Sequence, residues 1–128
     1  MSTYEHLQDN IRNLDLGPID TVDFAYSEKD TIIKIETDEF TSVCPKTGLP
    51  DFARIEINYI PDKKLIELKS FKLYLYRYRN VGIFQENAIN KILEDIVKYA
   101  NPKFVVVRGI FNVRGGLKTT ITCRYQKI

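Results

Sequence analysis

The sequence predicts an α+β domain in which helices cover one face of an antiparallel sheet. Segments before residue 61 alternate between apolar and polar side chains, as strands do, and residues 84–100 place their apolar side chains on one helical stripe. Two further strand-like segments follow, joined by the glycine-rich turn at 114–116. The chain has 128 residues, of which 44% are apolar and 28% charged, so it suits a single globular domain.

Two strands are predicted in the first half of the chain. Residues 30–37 are rich in β-branched side chains and alternate in part, which indicates the first strand. Residues 53–60 alternate cleanly and indicate the second strand. The residues before them, 1–29, are polar and irregular. We therefore interpret residues 1–29 as an N-terminal leader or docking arm, and residues 30–128 as one domain.

Residues 70–79 fit two kinds of secondary structure. Tyrosines alternate with leucine and arginine along this segment, as in a strand. Four of its aromatic and aliphatic residues also share one face of a helix, namely Phe71, Tyr74, Leu75 and Tyr78. The pattern alone leaves both open, and a helix here would give the order two strands, two helices, two strands. Residues 84–100 form a clearer helix, which Asn101-Pro102 ends.

Composition excludes several classes of function. The net charge is only +2, so no strong nucleic-acid or membrane partner is expected. No apolar run is long enough to span a bilayer, and the first residues lack a secretory pattern, so we expect a cytoplasmic protein. The two cysteines provide neither a disulfide framework nor a Cys-x-x-Cys site. His6 is the only histidine, which argues against a Cys-His pair and a multi-histidine metal site, and no metal is expected.

The segment from Phe40 to Phe52 carries the most chemical information. It places the Cys44 thiol and the Asp51 carboxylate seven positions apart, and two prolines and a glycine predict one short, bent loop for both. Such a loop would aim a nucleophile and a proton donor at the same substrate atom. A cysteine is more often a small buried hydrophobe, however, and a turn aspartate more often bonds its own backbone. The pattern alone therefore leaves the catalytic interpretation open.

Several longer motifs resemble one enzyme family. Phe40 to Ala53 reads Phe-Thr-Ser-Val-Cys-Pro-Lys-Thr-Gly-Leu-Pro-Asp-Phe-Ala, and Glu67 to Tyr74 reads Glu-Leu-Lys-Ser-Phe-Lys-Leu-Tyr. Together with three shorter segments, these motifs resemble the NADPH-dependent 7-cyano-7-deazaguanine reductases, the nitrile reductases of queuosine biosynthesis. The shorter segments are Tyr78-Arg79-Asn80, Phe84-x-Glu86 and Val113-Arg114-Gly115-Gly116. The resemblance covers residues 30–125 and is to the single-domain branch of the family.

The resemblance implies a tunnelling fold of ββααββ order, like that of GTP cyclohydrolase I. This fold has an antiparallel four-stranded sheet with two helices on one face, and it makes residues 70–79 helical. The sheets of neighbouring subunits join into barrel-forming pentameric rings, and two rings stack into a homodecamer. Active sites in this fold lie at subunit interfaces, so residues 30–128 would form one catalytic domain that needs a second copy to complete its site.

The resemblance also implies a reaction. Cys44 corresponds to the nucleophile that attacks the nitrile carbon and forms a thioimide, and Asp51 to the proton donor for the nitrile nitrogen. Reduction with two NADPH then gives 7-aminomethyl-7-deazaguanine. The chain would therefore be an oxidoreductase of tRNA-modification biosynthesis whose substrate is a small 7-deazapurine nitrile and not a nucleic acid. Lys46 or a helix terminus would favour the reactive thiolate.

The remaining site residues also follow from the resemblance. Glu86 corresponds to the glutamate that holds the deazaguanine base, while Ile66, Glu67 and Leu68 correspond to the segment that lines the base pocket. Four residues match positions associated with NADPH, namely Lys69, Ser70, Lys72 and Arg114. No Gly-x-Gly-x-x-Gly fingerprint is present, so a Rossmann site is not available.

One position departs from the family pattern. Gln85 stands in the substrate-binding segment where members commonly have histidine. Glutamine can hydrogen-bond a substrate but does not titrate near neutral pH. Proton shuttling by such a histidine would be absent here or handled by Asp51 or water.

Two other functions would use parts of the same sequence. A related branch uses its thioimide to form an amidine on tRNA, but the complete motif from Glu67 to Tyr74 argues against it, because that branch loses this segment. A non-catalytic RNA-binding module could use the tyrosines and arginines of residues 72–79 for base stacking. The small net charge argues against the RNA-binding module.

Overall fold

The computed structural model describes residues 10–128 and has the α+β architecture that the sequence predicts. Its main sheet has four antiparallel strands in the order β2-β3-β5-β6, and a smaller sheet pairs β1 with β4. The strands are β1 (Thr21–Asp23), β2 (Ile33–Val43), β3 (Pro50–Ile60), β4 (Lys64–Ile66), β5 (Phe104–Phe111) and β6 (Thr120–Gln126). The helices are α1 (Leu68–Tyr76), a 3-10 turn (Arg77–Asn80) and α2 (Gln85–Ala100). His6 lies outside the described residues.

The core lies between one face of the main sheet and the helices. The alternation of β3 buries Ile55, Ile57 and Tyr59 on this face, as the period of a strand requires. The stripe of α2 that packs against them is fully buried and comprises Ala88, Ile89, Ile92 and Ile96. The opposite face of the sheet carries ion pairs, among them Arg54 with Glu36 at 2.5 Å. The sheet is thus apolar on the helix side and charged on the other.

Residues 70–79 are helical, as the family resemblance implies. Phe71, Tyr74 and Leu75 of α1 face the core, and the chain then tightens into the 3-10 turn, which buries Tyr78. The Glu67 carboxylate caps the helix by accepting hydrogen bonds from the backbone N–H groups of Lys69, at 2.6 Å, and Ser70, at 3.1 Å. The cap places the start of the helix at Leu68, a boundary that the pattern of apolar residues does not indicate.

A buried polar cluster joins the two helices. The Tyr74 hydroxyl donates to Asp95 at 2.5 Å and lies 2.8 Å from the Tyr78 hydroxyl. Lys91 pairs with Asp95 at 3.2 Å, and both are about as buried as the core around them. Burial raises the pKa of Tyr74 well above its ordinary value, and the negative charge of Asp95 raises it further. The hydroxyls therefore act as neutral hydrogen-bond partners that fix the distance between α1 and α2.

The hairpin between β2 and β3 differs from the sequence prediction. The two strands reach Val43 and Pro50, so the predicted loop is reduced to residues 44–49. Asp51 consequently lies in β3, opposite Ser42, and the prediction that one loop carries both Cys44 and Asp51 was wrong. The physical reason is that proline is tolerated as the first residue of a strand, where its missing N–H costs no ladder bond.

The predicted turns are confirmed. Gly115 and Gly116 have φ of 58° and 80°, the left-handed conformation that a tight hairpin turn requires at both central positions. Asn101 ends α2 in the left-handed conformation with φ 46°, and its N–H donates to Val97 O at 3.0 Å.

The described part of the N-terminal segment packs on the domain. Ile11, Leu16 and Ile19 are buried in the core, and β1 pairs with β4 in the register Thr21↔Ile66. The sequence predicted only irregular structure here, because a three-residue strand is too short to show alternation. A docking role for residues 1–29 remains a proposal.

Candidate active site

The end of β2 is joined to the segment that leads into α2. Val43 N–H donates to Val81 O, and Ile83 N–H donates to Val43 O, each at 3.0 Å. Cys44 follows Val43 directly, and Gln85 and Glu86 begin α2 two residues after Ile83. These two backbone bonds therefore hold the start of α2 beside the hairpin that carries Cys44.

A cleft of about 280 Å³ lies between this hairpin, the start of α2 and the β5–β6 turn. It brings together the two predicted catalytic residues, two of the predicted substrate-binding residues and one predicted cofactor-binding residue. Its lining comprises Cys44, Pro45, Thr47, Asp51, Phe84, Gln85, Glu86 and Arg114. The cleft thus combines a thiol, carboxylates, an amide and a guanidinium in one concave site.

The surroundings of Cys44 favour its thiolate. Burial raises the pKa of Cys44, but hydrogen bonds from the Thr47 hydroxyl and from the backbone N–H groups of Thr47 and Lys46 outweigh burial, so the net shift is downward. The negative charge of Asp51 opposes this shift weakly. The turn is held closed by hydrogen bonds between Cys44 and the backbone of Gly48 and Leu49, at 2.9 and 2.8 Å. A closed turn keeps its donors directed at the sulfur without the cost of ordering them.

Thr47 is a candidate site residue that the sequence analysis does not identify. Its hydroxyl oxygen accepts a hydrogen bond from Leu49 N–H at 3.2 Å, which fixes the side chain inside the turn. The sequence reasoning expected the Lys46 side chain or a helix terminus to activate the thiol. In the structure it is the Lys46 backbone N–H that contributes, together with Thr47. The sequence does contain a signal for this role: Thr47 stands three residues after Cys44 and directly before Gly48, where a threonine hydroxyl can hydrogen-bond within the turn.

Asp51 is buried and paired with Arg114. Asp51 is 4% exposed, and Arg114 Nη1 donates to its Oδ1 and, at 3.2 Å, to Pro50 O. A buried carboxylate destabilises a fold unless it is paired and hydrogen-bonded. The ion pair with Arg114 therefore offsets the burial of the Asp51 carboxylate in the cleft. The sequence resemblance assigned Arg114 to the cofactor, and within one chain its observed partner is Asp51.

The other predicted binding residues lie away from this cleft. Leu68 and Lys72 line a separate apolar groove of about 330 Å³ between β2 and α1. Ile66 is buried in β4, where its N–H donates to the Tyr59 hydroxyl at 3.0 Å. Within a single chain, the Cys44 cleft and the α1 segment therefore form two sites.

Three further residues of this segment have different surroundings. The Ser70 hydroxyl is buried, accepts from Asp20 N–H at 2.8 Å and donates to Glu67 O at 3.0 Å. The Glu67 carboxylate caps α1, while the Lys69 ammonium is exposed. Lysines 69 and 72 therefore present cations to solvent, and Ser70 and Glu67 hold the turn beneath them.

Within residues 10–128, no group of three or more histidine, cysteine, aspartate or glutamate side chains is placed to hold a metal ion. Among the same residues no helix has both the length and the apolar character needed to cross a membrane.

The chain is similar to known proteins in sequence and in fold. A family model described as "QueF-like protein" matches residues 50–128. The NADPH-dependent 7-cyano-7-deazaguanine reductase of Caldanaerobacter subterraneus is 54% identical over 114 residues, which cover 89% of this chain and 85% of that protein. The reductase of the same name from Chlorobaculum tepidum is 50% identical over 109 residues, which cover 85% of this chain and 93% of the relative.

A solved structure shares the fold. The crystal structure of the archaeosine synthase QueF-Like in the apo form matches with a TM-score of 0.72 and covers 78% of this chain and 98% of that one. Its sequence is 22% identical, so the match supports the architecture alone.

Proposed function

Because the chain belongs to the family of NADPH-dependent 7-cyano-7-deazaguanine reductases, we propose that it reduces the nitrile of 7-cyano-7-deazaguanine to an aminomethyl group in queuosine biosynthesis. The observation that carries this proposal for the chain's own residues is the shared cleft of Cys44 and Asp51. A thiol with a lowered pKa beside a buried carboxylate suits addition to an electrophilic carbon that needs a proton on the adjacent nitrogen.

The first chemical step is the addition of the Cys44 S–H group across the C≡N bond. A bond forms between sulfur and the nitrile carbon, one π bond breaks, and the proton that leaves sulfur ends on nitrogen. Asp51 carries this proton: its carboxylate accepts the proton from Cys44 and delivers it to the nitrogen as negative charge develops there. The product is a neutral thioimide, and no other reactant is consumed.

NADPH, when bound, would supply hydride: one hydride from each of two NADPH molecules, together with two protons, converts the thioimide to the amine and returns Cys44 to its free thiol. The structure presents the Lys69 and Lys72 ammonium groups on the exposed side of α1, and clustered cations of this kind fit a phosphorylated dinucleotide. Ser70 and Arg114 belong to the same proposed cofactor-binding set, although their polar atoms contact the protein in a single chain. Ser70 would act by fixing the turn at the start of α1, and Arg114 by contact at the rim of the cleft.

The base is proposed to bind at the start of α2. Glu86 is exposed in the first turn of α2 and lines the cleft, so its carboxylate can accept two hydrogen bonds from the ring N–H and exocyclic amine of a guanine-like edge. Gln85 lines the same cleft and can add a hydrogen bond without titrating. Residues 66–68 would supply the other side of the base pocket.

The complete site is proposed to need two chains. Leu68 and Lys72 line a groove separate from the Cys44 cleft, and Leu68 is 61% exposed. Strands β2 and β6 form the two edges of the main sheet, and an edge strand can pair with a neighbouring subunit. A neighbour in a homodecamer of two stacked pentameric rings would bring its residues 66–72 to the Cys44 cleft of the first chain.

The proposal is tested by intact-mass spectrometry and NADPH oxidation on the same protein. Mixing the protein with 7-cyano-7-deazaguanine should add the mass of the nitrile, and Cys44→Ala should abolish the adduct. NADPH should then be consumed at two equivalents per nitrile. Ammonia in place of NADPH tests the amidine-forming alternative. A protein that binds the nitrile without forming an adduct or oxidising NADPH would refute the reductase.

A further inference from the structure

Ser42 lies directly across the β2–β3 ladder from Asp51. The register pairs the two residues, and directly opposed residues in an antiparallel ladder point to the same face of the sheet. Both are buried, with exposures of 0% for Ser42 and 4% for Asp51. Cys44 follows two residues later, directly after the last residue of the same strand. The Ser42 hydroxyl therefore shares its sheet face with the carboxylate of the proposed proton carrier.

The Ser42 hydroxyl is buried without a hydrogen-bond partner among residues 10–128. A hydroxyl in this state makes the folded protein less stable than an alanine of the same shape would. Only one other buried side-chain oxygen in this part of the chain shares the property, the Thr41 Oγ1. Thr41 opposes Phe52, so it lies on the opposite face of the ladder from Ser42 and Asp51. The two hydroxyls have the same energetic disadvantage and different neighbours.

In the proposed reaction, Asp51 requires a second hydrogen-bond partner besides Arg114. Arg114 pairs with the ionised carboxylate, and this attraction weakens when Asp51 takes the proton from Cys44. The carboxyl group must then be held so that its O–H points at the nitrile nitrogen. Opposed Cβ atoms in an antiparallel ladder are about 4.5–5.5 Å apart, a spacing that two short side chains can bridge with a hydrogen bond when their rotamers turn toward each other.

We propose that Ser42 is a positioning residue for this proton transfer. Its hydroxyl donates to the Asp51 oxygen that does not carry the proton, which leaves the O–H of the other oxygen directed at the nitrile nitrogen. Ser42 acts through Asp51 and does not touch the substrate. The inference rests on the proposed function, since it assigns a residue to the same thioimide-forming step.

The test compares Ser42→Ala with Thr41→Val, which removes the other unpartnered hydroxyl and keeps the side-chain shape. Three quantities are measured on each protein: the rate of the nitrile adduct at Cys44 without NADPH, the rate of iodoacetamide alkylation of Cys44, and the thermal midpoint. Ser42→Ala should slow the adduct on the order of tenfold, because the proton carrier loses its orientation. Its alkylation rate should match the wild type and its thermal midpoint should be equal or higher. Thr41→Val should form the adduct at the wild-type rate.

Each other outcome overturns the assignment. An unchanged adduct rate in Ser42→Ala would show that the hydroxyl has no part in the step. A thermal midpoint several degrees lower would show that it is a bonded structural group. An equal slowing of alkylation would place its effect on Cys44 and not on Asp51. If the wild type itself forms no adduct, the proposed function fails first and the role of Ser42 fails with it.

Discussion

Cys44 and Cys123 show how the surroundings of one residue type decide its chemistry. Burial raises the pKa of Cys123 to about 11, and its thiol donates weakly to Ile89 O at 3.6 Å. Cys44 lies in a turn whose hydroxyl and backbone donors lower its pKa. The thiolate is the reactive form, so a neutral solution should leave Cys123 unreactive and Cys44 reactive. Cys123 also packs against the hydrophobic core, as a structural cysteine does.

The hydrogen bond from Thr47 to Cys44 gives a prediction about pH. Thr47→Val should raise the pKa of Cys44, because it removes a donor that stabilises the thiolate. The midpoint of the pH profile for iodoacetamide alkylation should move upward, because the thiolate then forms only at a higher pH. Thr122→Val on the exposed side of β6 is the control. An unchanged midpoint would remove Thr47 from the activation of the thiol.

Asp51→Asn separates proton transfer from thiol reactivity. Asparagine keeps the shape of the side chain but cannot carry the proton, so adduct formation with the nitrile should fall by about 100-fold or more. Alkylation of Cys44 should not slow, because the carboxylate charge raises the pKa of Cys44 and its removal favours the thiolate. Asp62→Asn is the matched control, since Asp62 pairs with Lys127 at 2.8 Å outside the cleft. Parallel losses in both rates would indicate a disturbed hairpin instead.

At the scale of elements, the sequence predicted the features that a local pattern of residues encodes. The stripe of α2, the alternation of β3 and the glycine turn before β6 all appear where expected. Periodicity could not show whether the α1 segment is a helix or a strand, because its apolar residues fit both patterns. In the structure the segment is a helix, and the Glu67 side chain caps its first turn. Periodicity also missed β1 and β4, which exist because they pair with each other and not because of their own pattern. Long-range pairing is invisible to a local period.

The same limit applies to the candidate site. The motifs identified Cys44 and Asp51, but their placement on opposite sides of a hairpin follows from the Ser42↔Asp51 register. The pairing of Asp51 with Arg114 joins residues that are 63 positions apart in the chain. Only the closure of the β5–β6 turn over the hairpin places these charges together. The roles of Thr47 and Ser42 likewise depend on contacts that the residue types alone do not specify.

The packing of α2 against β5 gives a prediction at the element scale. A Cβ atom at Gly109 would lie 2.4 Å from Ile89 Cδ1 and 2.7 Å from Ile89 Cγ1, in a fully buried contact. Gly109→Ala should therefore lower the free energy of unfolding by about 1–3 kcal/mol, as overpacked cores do. Urea unfolding measures the loss. Ile89→Val removes Cδ1, the nearer atom, so Gly109→Ala should lower the free energy of unfolding by less in an Ile89→Val background. Equal losses in both backgrounds would contradict this contact.

At the scale of the whole molecule, the distribution of polar and apolar surface suits assembly. Strands β2 and β6 are the two edges of the main sheet. The apolar groove between β2 and α1 is lined in part by the exposed side chain of Leu68. A small domain with two sheet edges can bury them against copies of itself. The expectations of a ring assembly, of a cytoplasmic location and of a docking role for residues 1–29 remain predictions. The assembly is the prediction that bears on catalysis, because the proposed complete site combines the Cys44 cleft of one chain with residues 66–72 of another.

Complementation between inactive variants tests this two-chain site. Cys44→Ala removes the nucleophile, and Lys69→Ala with Lys72→Ala removes the cations proposed for NADPH, so each protein alone should oxidise little or no NADPH with the nitrile. If each site takes Cys44 from one chain and α1 from its neighbour, unfolding and refolding the two proteins together should restore up to about a quarter of wild-type activity, the share of interfaces that pair two intact halves at random. The control is the same two proteins refolded separately and then mixed. Activity that stays at the level of the separate variants, in assemblies shown by mass to contain both chains, would place the whole site within one chain.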